Sequence, residues 1–316
     1  MSSSLASSAF SLPKHLASGI WKKAAYGSTI TTLSGAEPQL FGQTQIMTFT
    51  TRPKAEFVAE GASKTGTDAG FGTKTVTPKK VQVTMRFNEE VVWADEDYQL
   101  GVLSLLSEEI GMSLARALDL GIYHAINPLT GVALSGSPEK IVDTTNVVEI
   151  DDNGVPTQNT PAGADLEVEA AAGLVIANNY IPNGIALDPS YAWRLATARY
   201  ADGRKKYPDL GLGVAVSSFE GLNASVSTTV SAPEAAVSGG AYASENNNYK
   251  AILGDFNQIR WGVQRNIPVE RISFGDPDGL GDLKRKNQIA LRAEVVFGWA
   301  IMDLDAFAVI QNAISE

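Results

Sequence analysis

Residues 79–93 read KKVQVTMRFNEEVVW, and they alternate. Val81, Val83, Met85 and Phe87 fall on one face, and Gln82, Thr84, Arg86 and Asn88 on the other. Val91 and Trp93 continue the apolar side. A period of two marks a half-buried β-strand. Just upstream, residues 61–72 hold Gly61, Gly66, Gly70 and Gly72 among small polar residues, which predicts a flexible tip. Residues 46–60 (IMTFTTRPKAEFVAE) read as an irregular strand leading into that tip. Together the pieces predict a long β-hairpin over 46–90. A strand of about 13 residues spans roughly 43 Å, and a two-stranded ribbon of that length is marginal alone in water. With no third strand nearby in sequence, it either folds back on its own core or leans on another molecule.

Working forward, residues 97–126 predict one helix. Leu103, Leu106, Ile110, Leu114, Ala117, Gly121 and His124 recur at steps of three and four. Asp95, Glu96 and Asp97 suit the positive end of its dipole, and Asn127-Pro128 ends it. A rod of about 45 Å is a spine for other elements. Residues 128–163 are turn-rich. Helices are expected over 164–179 and from Pro189 to Arg199, with a short buried strand at Gly184–Asp188 between them. Residues 217–248 are rich in Ser, Ala, Gly and Asn, with at most weak strands. Strand character returns over 249–274, Asp276-Pro277-Asp278-Gly279 is a turn, and Gln288–Trp299 alternates again. A short helix is expected from Asp305 to Ile314. Upstream, Pro13 opens a helix over 13–26, and Ser28–Gln45 reads as extended chain.

Composition narrows the function. The 316 residues carry a net charge of −10, which argues against a chain whose main task is gripping nucleic acid. The charge is uneven: residues 1–90 hold 10 basic and 6 acidic side chains, a net of +4, which leaves −14 for the rest. A basic first third on an acidic body suits chains whose arms lie across neighbouring copies. With no cysteine, disulfides and thiolate chemistry are excluded, and a reducing compartment fits. The N-terminus has neither the basic nor the apolar region of a secretory signal. Apolar runs such as Val295–Met302 are too short to span a bilayer.

Chemistry is thin. His15 and His124 are the only histidines, and they belong to no cluster with zinc-ligand spacing. His124 reads as a packing or capping residue. Asp276, Asp278 and Asp282 only loosely resemble a calcium loop, because the far bidentate Glu is missing. Glu89-Glu90 and Asp95-Glu96-Asp97 sit at a strand end and a helix start rather than as a catalytic pair. Gly211-Leu212-Gly213 lacks the rest of a dinucleotide fingerprint. There is no nucleophile elbow or phosphate loop. No catalytic, cofactor-binding or metal-binding residue is expected, no cofactor, and no membrane partner.

Several segments, in order, resemble the major capsid proteins of tailed bacteriophages. LPKHLASGIWKKAAYGS is similar to the N-arm of that family. AEFVAEG, the glycines and VTPKKVQVTMRFNEEVVW resemble its extended loop. LLSEEIGMSLARALDLGIYHAI resembles its spine helix, YKAILGDFNQIRWGVQRNIPVE its axial strands, and QIALRAEVVFGWAIMDLDAFAVI its closing strand with DAF opening a terminal helix. The resemblance implies an α+β chain with the Hong Kong 97-type capsid fold. It implies an N-terminal arm (1–45), an extended β-hairpin loop (46–90) and a peripheral domain with the spine helix (91–163). An axial domain (164–278) and the closing peripheral strand and helix (279–316) complete it. It further implies hexamers and pentamers tiling an icosahedral head around double-stranded DNA, assembled in the host cytoplasm and located in the virion. Portal and decoration proteins are implied partners. About a dozen residues precede the arm, so scaffolding would come from another chain. Some relatives cross-link through a loop lysine; Lys64, Lys74, Lys79 and Lys80 stand in the loop, but no matching Asn and Glu motif is present, and these lysines are expected to be solvated or paired with acids. Two other readings remain at this level: an encapsulin-type compartment shell, and an α+β hydrolase or carbohydrate-binding protein.

Overall fold

The alternating segment becomes β2, Gly70–Asn88, in a computed structural model of the chain. The structure describes residues 28–51, 53–89, 96–150, 163–200, 202–210, 216–232 and 249–312. The helix expected over 13–26, and Val91, Trp93, Asp95, His15 and Gly211–Gly213, lie outside them. β1, Thr44–Thr51, pairs antiparallel with the first part of β2, from Thr44↔Val76 to Thr51↔Gly70. The hairpin is therefore present. β2 then pairs without a break with β9, Gln288–Ile301, from Thr77↔Trp299 to Asn88↔Gln288. β8, Ile259–Ile272, pairs antiparallel along the other edge of β9, giving a four-stranded order β1-β2-β9-β8. The third strand missing from the neighbouring sequence arrives from two hundred residues away. Register slips in β8 between Ile267 and Glu270, around Pro268, which has no N–H to give the ladder.

The long helix, α2, runs from Glu96 to His124. It stops two residues before the expected end because Ala125 turns left-handed, at φ 53°. Ile110, Leu114, Leu118 and Ile122 form its core stripe, packed on Ala293, Val295, Phe297, Trp299 and Ile301 of β9 and on Val81, Val83 and Met85 of β2. Gly121 is where Trp299 packs closely on the helix: a Cβ there would sit 3.0 Å from the indole.

The second sheet has six strands in the order β3-β10-β7-β4-β6-β5. These are β3 (Val147–Ile150), β4 (Gly184–Leu187), β5 (Ser218–Phe219), β6 (Leu222–Val226), β7 (Tyr249–Gly254) and β10 (Phe307–Asn312). Its central strands are buried on both faces, which explains their continuous apolar runs. Ile185, Leu187, Ala251, Leu253, Ala308 and Ile310 meet α3 (Ala164–Ala177) and α4 (Pro189–Thr197). Ala186, Ile252, Phe307 and Val309 point the other way, into the core of the spine helix. Alternation along each strand thus joins two cores through one sheet. Among the described residues no helix is long and apolar enough to cross a membrane.

Two expectations need correction. The closing helix over Asp305–Ile314 is instead β10, set between β3 and β7. A run as short as Phe307–Ile310 fits a buried strand as well as a helix, and only the vacant place between those strands decides. β8 lies with β9 in the four-stranded sheet, and β10 joins the six-stranded one. Finally, residues 28–45 are not a detached extended arm. They contain a short helix, α1 (Thr29–Leu33), capped by Ser28, and Ile30 is fully buried.

Candidate assembly surfaces

The hairpin outgrows its support. From Thr77 onward β2 shares the ladder of β9; before Thr77, β1 and β2 are each other's sole strand partners among the described residues. Residues 53–69 are exposed throughout, and Phe57 is fully so. Their bonds are local: Thr65 N–H donates to Glu56 Oε1 at 2.7 Å, and Thr67 Oγ1 to the Lys54 carbonyl at 2.8 Å. Met47, Val58 and Phe71 add exposed apolar surface on the same ribbon. The lysines at its base are engaged. Lys74 pairs with Glu139 at 2.6 Å, Lys80 with Glu294 at 2.6 Å, and Lys79 donates to the Ser135 carbonyl at 3.0 Å.

A second apolar tip lies between β8 and β9, where Phe274 and Leu280 are exposed. Two arginines hold this turn. Arg86 of β2 reaches Asp278, Asp276 at 3.3 Å and the Gly281 carbonyl at 2.9 Å. Arg292 of β9 donates to the Pro277 carbonyl at 2.7 Å. The hydrogen bond from Arg86 holds the Asp278 carboxyl below the usual carboxylate range. Two of the three acids that loosely resembled a calcium loop, Asp276 and Asp278, are thus occupied by a guanidinium, and Asp282 accepts from the Arg285 N–H at 2.9 Å. On α3 and α4, Leu166, Ile176 and Trp193 also face outward.

Two acids that the sequence reading missed are fully buried. Asp119, fully buried on α2, accepts from Ser28 Oγ, Thr29 N–H (2.9 Å), Thr29 Oγ1 (2.9 Å) and Thr229 Oγ1 (2.7 Å). Burial pushes its carboxyl up, and these bonds hold it back. Glu167, equally buried on α3, accepts from Tyr191 Oη at 2.8 Å and pairs with Arg194 at 3.0 Å. One signal was available for Asp119: an acid inside the apolar run ALDLGIY, with its neighbours Leu118 and Leu120 both buried. His124 is buried too, its Nε2 donating to the carbonyls of Thr229 (3.2 Å) and Val230 (2.9 Å). Desolvation lowers its pKa to about 4, so it is neutral at pH 7. Glu89 pairs with Lys284 at 3.4 Å, and the side chains of Glu96 and Asp97 lie outside the described residues. Among the described residues no group of three or more His, Cys, Asp or Glu is placed to hold a metal.

Buried acids tied to hydroxyls, and apolar tips facing outward, are the features of a structural subunit. The model of the phage capsid family matches residues 8–312. A solved chain from Mycobacterium phage Ogopogo is 52% identical, with a TM-score of 0.81, covering 90% of this chain and 92% of that one. A chain from Gordonia phage Cozz is 31% identical, with a TM-score of 0.74, covering 91% and 87%. A chain from a structure described as the capsid of a native GTA particle shares the fold at 13% identity, with a TM-score of 0.60 over 92% and 91%. No curated protein sequence matches. The chain belongs to the phage capsid family. It is a major capsid protein, a structural component of the virion that assembles into a multimeric shell, and it is not an enzyme. Nothing found supports the encapsulin, hydrolase or carbohydrate-binding readings.

Proposed function

We propose that copies of this chain form hexamers and pentamers that close into an icosahedral head around double-stranded DNA, assembled in the host cytoplasm. In this reading the extended loop (46–90) lies over an adjacent subunit, and the chain before Ser28 ties neighbouring capsomers together. The spine helix and four-stranded sheet form the peripheral unit, and the six-stranded sheet the axial one. A separate scaffolding protein, a portal and decoration proteins are the further partners. DNA is enclosed without sequence-specific contact, in keeping with the net charge of −10.

The observation that carries the reading is the unsupported half of the hairpin. Phe57, Val58, Phe71 and Met47 are exposed on the part of the hairpin that β9 does not reach. Burying one such phenylalanine is worth about 1.5–3 kcal/mol, and several on one ribbon make a docking element for a neighbour. The test is electron microscopy of the recombinant chain beside a Phe57→Ser, Val58→Ser variant. The native chain should give closed shells or rings with five- and six-fold symmetry. The variant should remain dispersed, with its melting temperature within about 1 °C of the parent, since surface changes away from packed features cost under about 0.5 kcal/mol. A native chain that stays monomeric at high concentration would end the proposal.

A further inference from the structure

Among the described residues Asp119 has no cation for a bonding partner; instead it gathers donors from two segments 90 and 110 residues away in sequence. From the first come Ser28 Oγ, the Thr29 N–H and Oγ1, and a longer bond from the Ile30 N–H at 3.4 Å. From the second comes Thr229 Oγ1, at 2.7 Å. Both Thr29 hydroxyl and Thr229 hydroxyl end on the same carboxylate oxygen, Oδ2. Thr29 Oγ1 also meets Tyr123 Oη at 2.7 Å, one turn along the helix. The helix grips the second segment elsewhere as well: Arg116 donates to Thr228 Oγ1 at 3.2 Å, and His124 to the carbonyls of Thr229 and Val230. From there Ser231 Oγ donates to Asp188, which caps α4 through the Ser190 N–H at 2.8 Å. Two polar groups are therefore joined by the backbone of residues 229–231: Ser28, Asp119 and Thr229 on one side, Ser231 and Asp188 at the N-terminus of α4 on the other. They cross a region otherwise filled by apolar side chains.

An apolar residue at 119 would fill such a site at lower desolvation cost, whereas a buried carboxylate demands its donors in one arrangement. We propose that Asp119 is a positioning residue for assembly. It fixes where and in which direction the chain enters the body at Ser28, and it locks that entry to the 227–231 segment and through it to α4. The inference rests on the reading in which the chain before Ser28 reaches other subunits.

The test uses the full chain with Thr29→Val, Thr229→Val and both together. These near-isosteric changes remove hydroxyls and leave the fold's volume unchanged; Asp119→Leu is added as the more severe case. Hydrogen exchange of the dispersed protein reads the coupling. The amides of Val230 and Ala232, bonded to the carbonyls of Ser227 and Thr228, should lose protection at least fivefold in Thr29→Val. The amide of Val309, bonded to the Asn146 carbonyl, should not change. The double variant should lose less than the product of the two single losses, because both act through one oxygen. In microscopy the variants should give open or irregular assemblies in place of uniform shells. Unchanged exchange at Val230 and Ala232 in Thr29→Val, or uniform shells at native yield from the double variant, would overturn the proposal. If the native chain itself forms no shells, it is the assembly reading that fails, and the exchange result alone decides whether the junction couples the two segments.

Discussion

Gly262→Ala should destabilise the subunit far more than a methyl group at a β-strand position ordinarily would. Gly262 and Gly298 stand opposite each other on β8 and β9. Their missing side chains leave a trough in the four-stranded sheet, and residues 37–42 lie along it. The Glu37 N–H donates to the Trp261 carbonyl at 2.8 Å, and Gln264 Nε2 to the Gly42 carbonyl at 3.1 Å. A Cβ on Gly262 would fall deep inside the Glu37 carbonyl oxygen, a backbone atom that cannot rotate away. Overpacking of this kind costs about 1–3 kcal/mol, and losing the Glu37–Trp261 bond adds about 1 kcal/mol. The sum is about 2–4 kcal/mol. With unfolding entropy near 2.1 cal/mol/K per residue, 316 residues melting as one unit would shift by about 3–6 °C. Gly298→Ala is the matched control. Its nearest neighbours are the ends of side chains, Gln39, Gln264 Nε2 at 2.5 Å and Val76 Cγ1 at 2.8 Å, so it should cost less than half as much. Gly173→Ala should go the other way. That glycine is exposed within α3, with nothing within 4 Å of an added Cβ, and alanine there gains about 0.5–1 kcal/mol. Scanning calorimetry of the dispersed subunit reads all three. Equal shifts for Gly262→Ala and Gly298→Ala would refute the argument from the trough.

His124 sets a pH dependence. Its folded pKa of about 4 lies below the ordinary histidine value of 6.5, so the unfolded chain takes the proton first as pH falls. Its contribution is whole above pH 6.5 and is lost as pH drops toward 4, to a total of about 3 kcal/mol; His124→Phe should flatten that part of a urea-stability profile, and an identical slope in both proteins would count against it. Arg86→Met should free the turn between β8 and β9, seen as faster proteolysis around Phe274–Leu280 with the rest of the digest unchanged; protection as in the native chain would contradict the pinning role. Tyr191→Phe leaves Glu167 one donor short at a fully buried oxygen and should cost about 1–3 kcal/mol by denaturant titration; a loss under about 0.5 kcal/mol would show that Arg194 alone suffices.

Local pattern was enough wherever one element decided its own state. The alternation of Val81, Val83 and Met85, and the three-and-four spacing of Ile110 and Leu114, name a strand and a helix without reference to partners. The hairpin and spine could therefore be read from residues 46–126. It failed where state depends on what lies alongside. Phe307–Ile310 is a strand because β3 and β7 leave a place between them, and no window around residue 307 carries that information. The same holds for Thr29–Leu33, whose cap is Ser28 but whose burial is supplied by β6, β4 and α2, elements that follow it far along the chain.

The assembly surfaces divide along the same line. That the ribbon is too long for its own support follows from its length and glycines, and the structure adds only where support ends, at Thr77. Where the chain enters the body does not follow from any local rule. It is fixed by one carboxylate collecting hydroxyls from residues 28, 29 and 229, and by two glycines that meet across a ladder. Both devices work by what is missing nearby, a cation in one case and a side chain in the other. A residue whose partners all lie more than 80 positions away gives no periodic signal. In the sequence Asp119 is an interruption of a helical stripe; in the fold it is the point on which that stripe, the Ser28 segment and the loop before β7 converge.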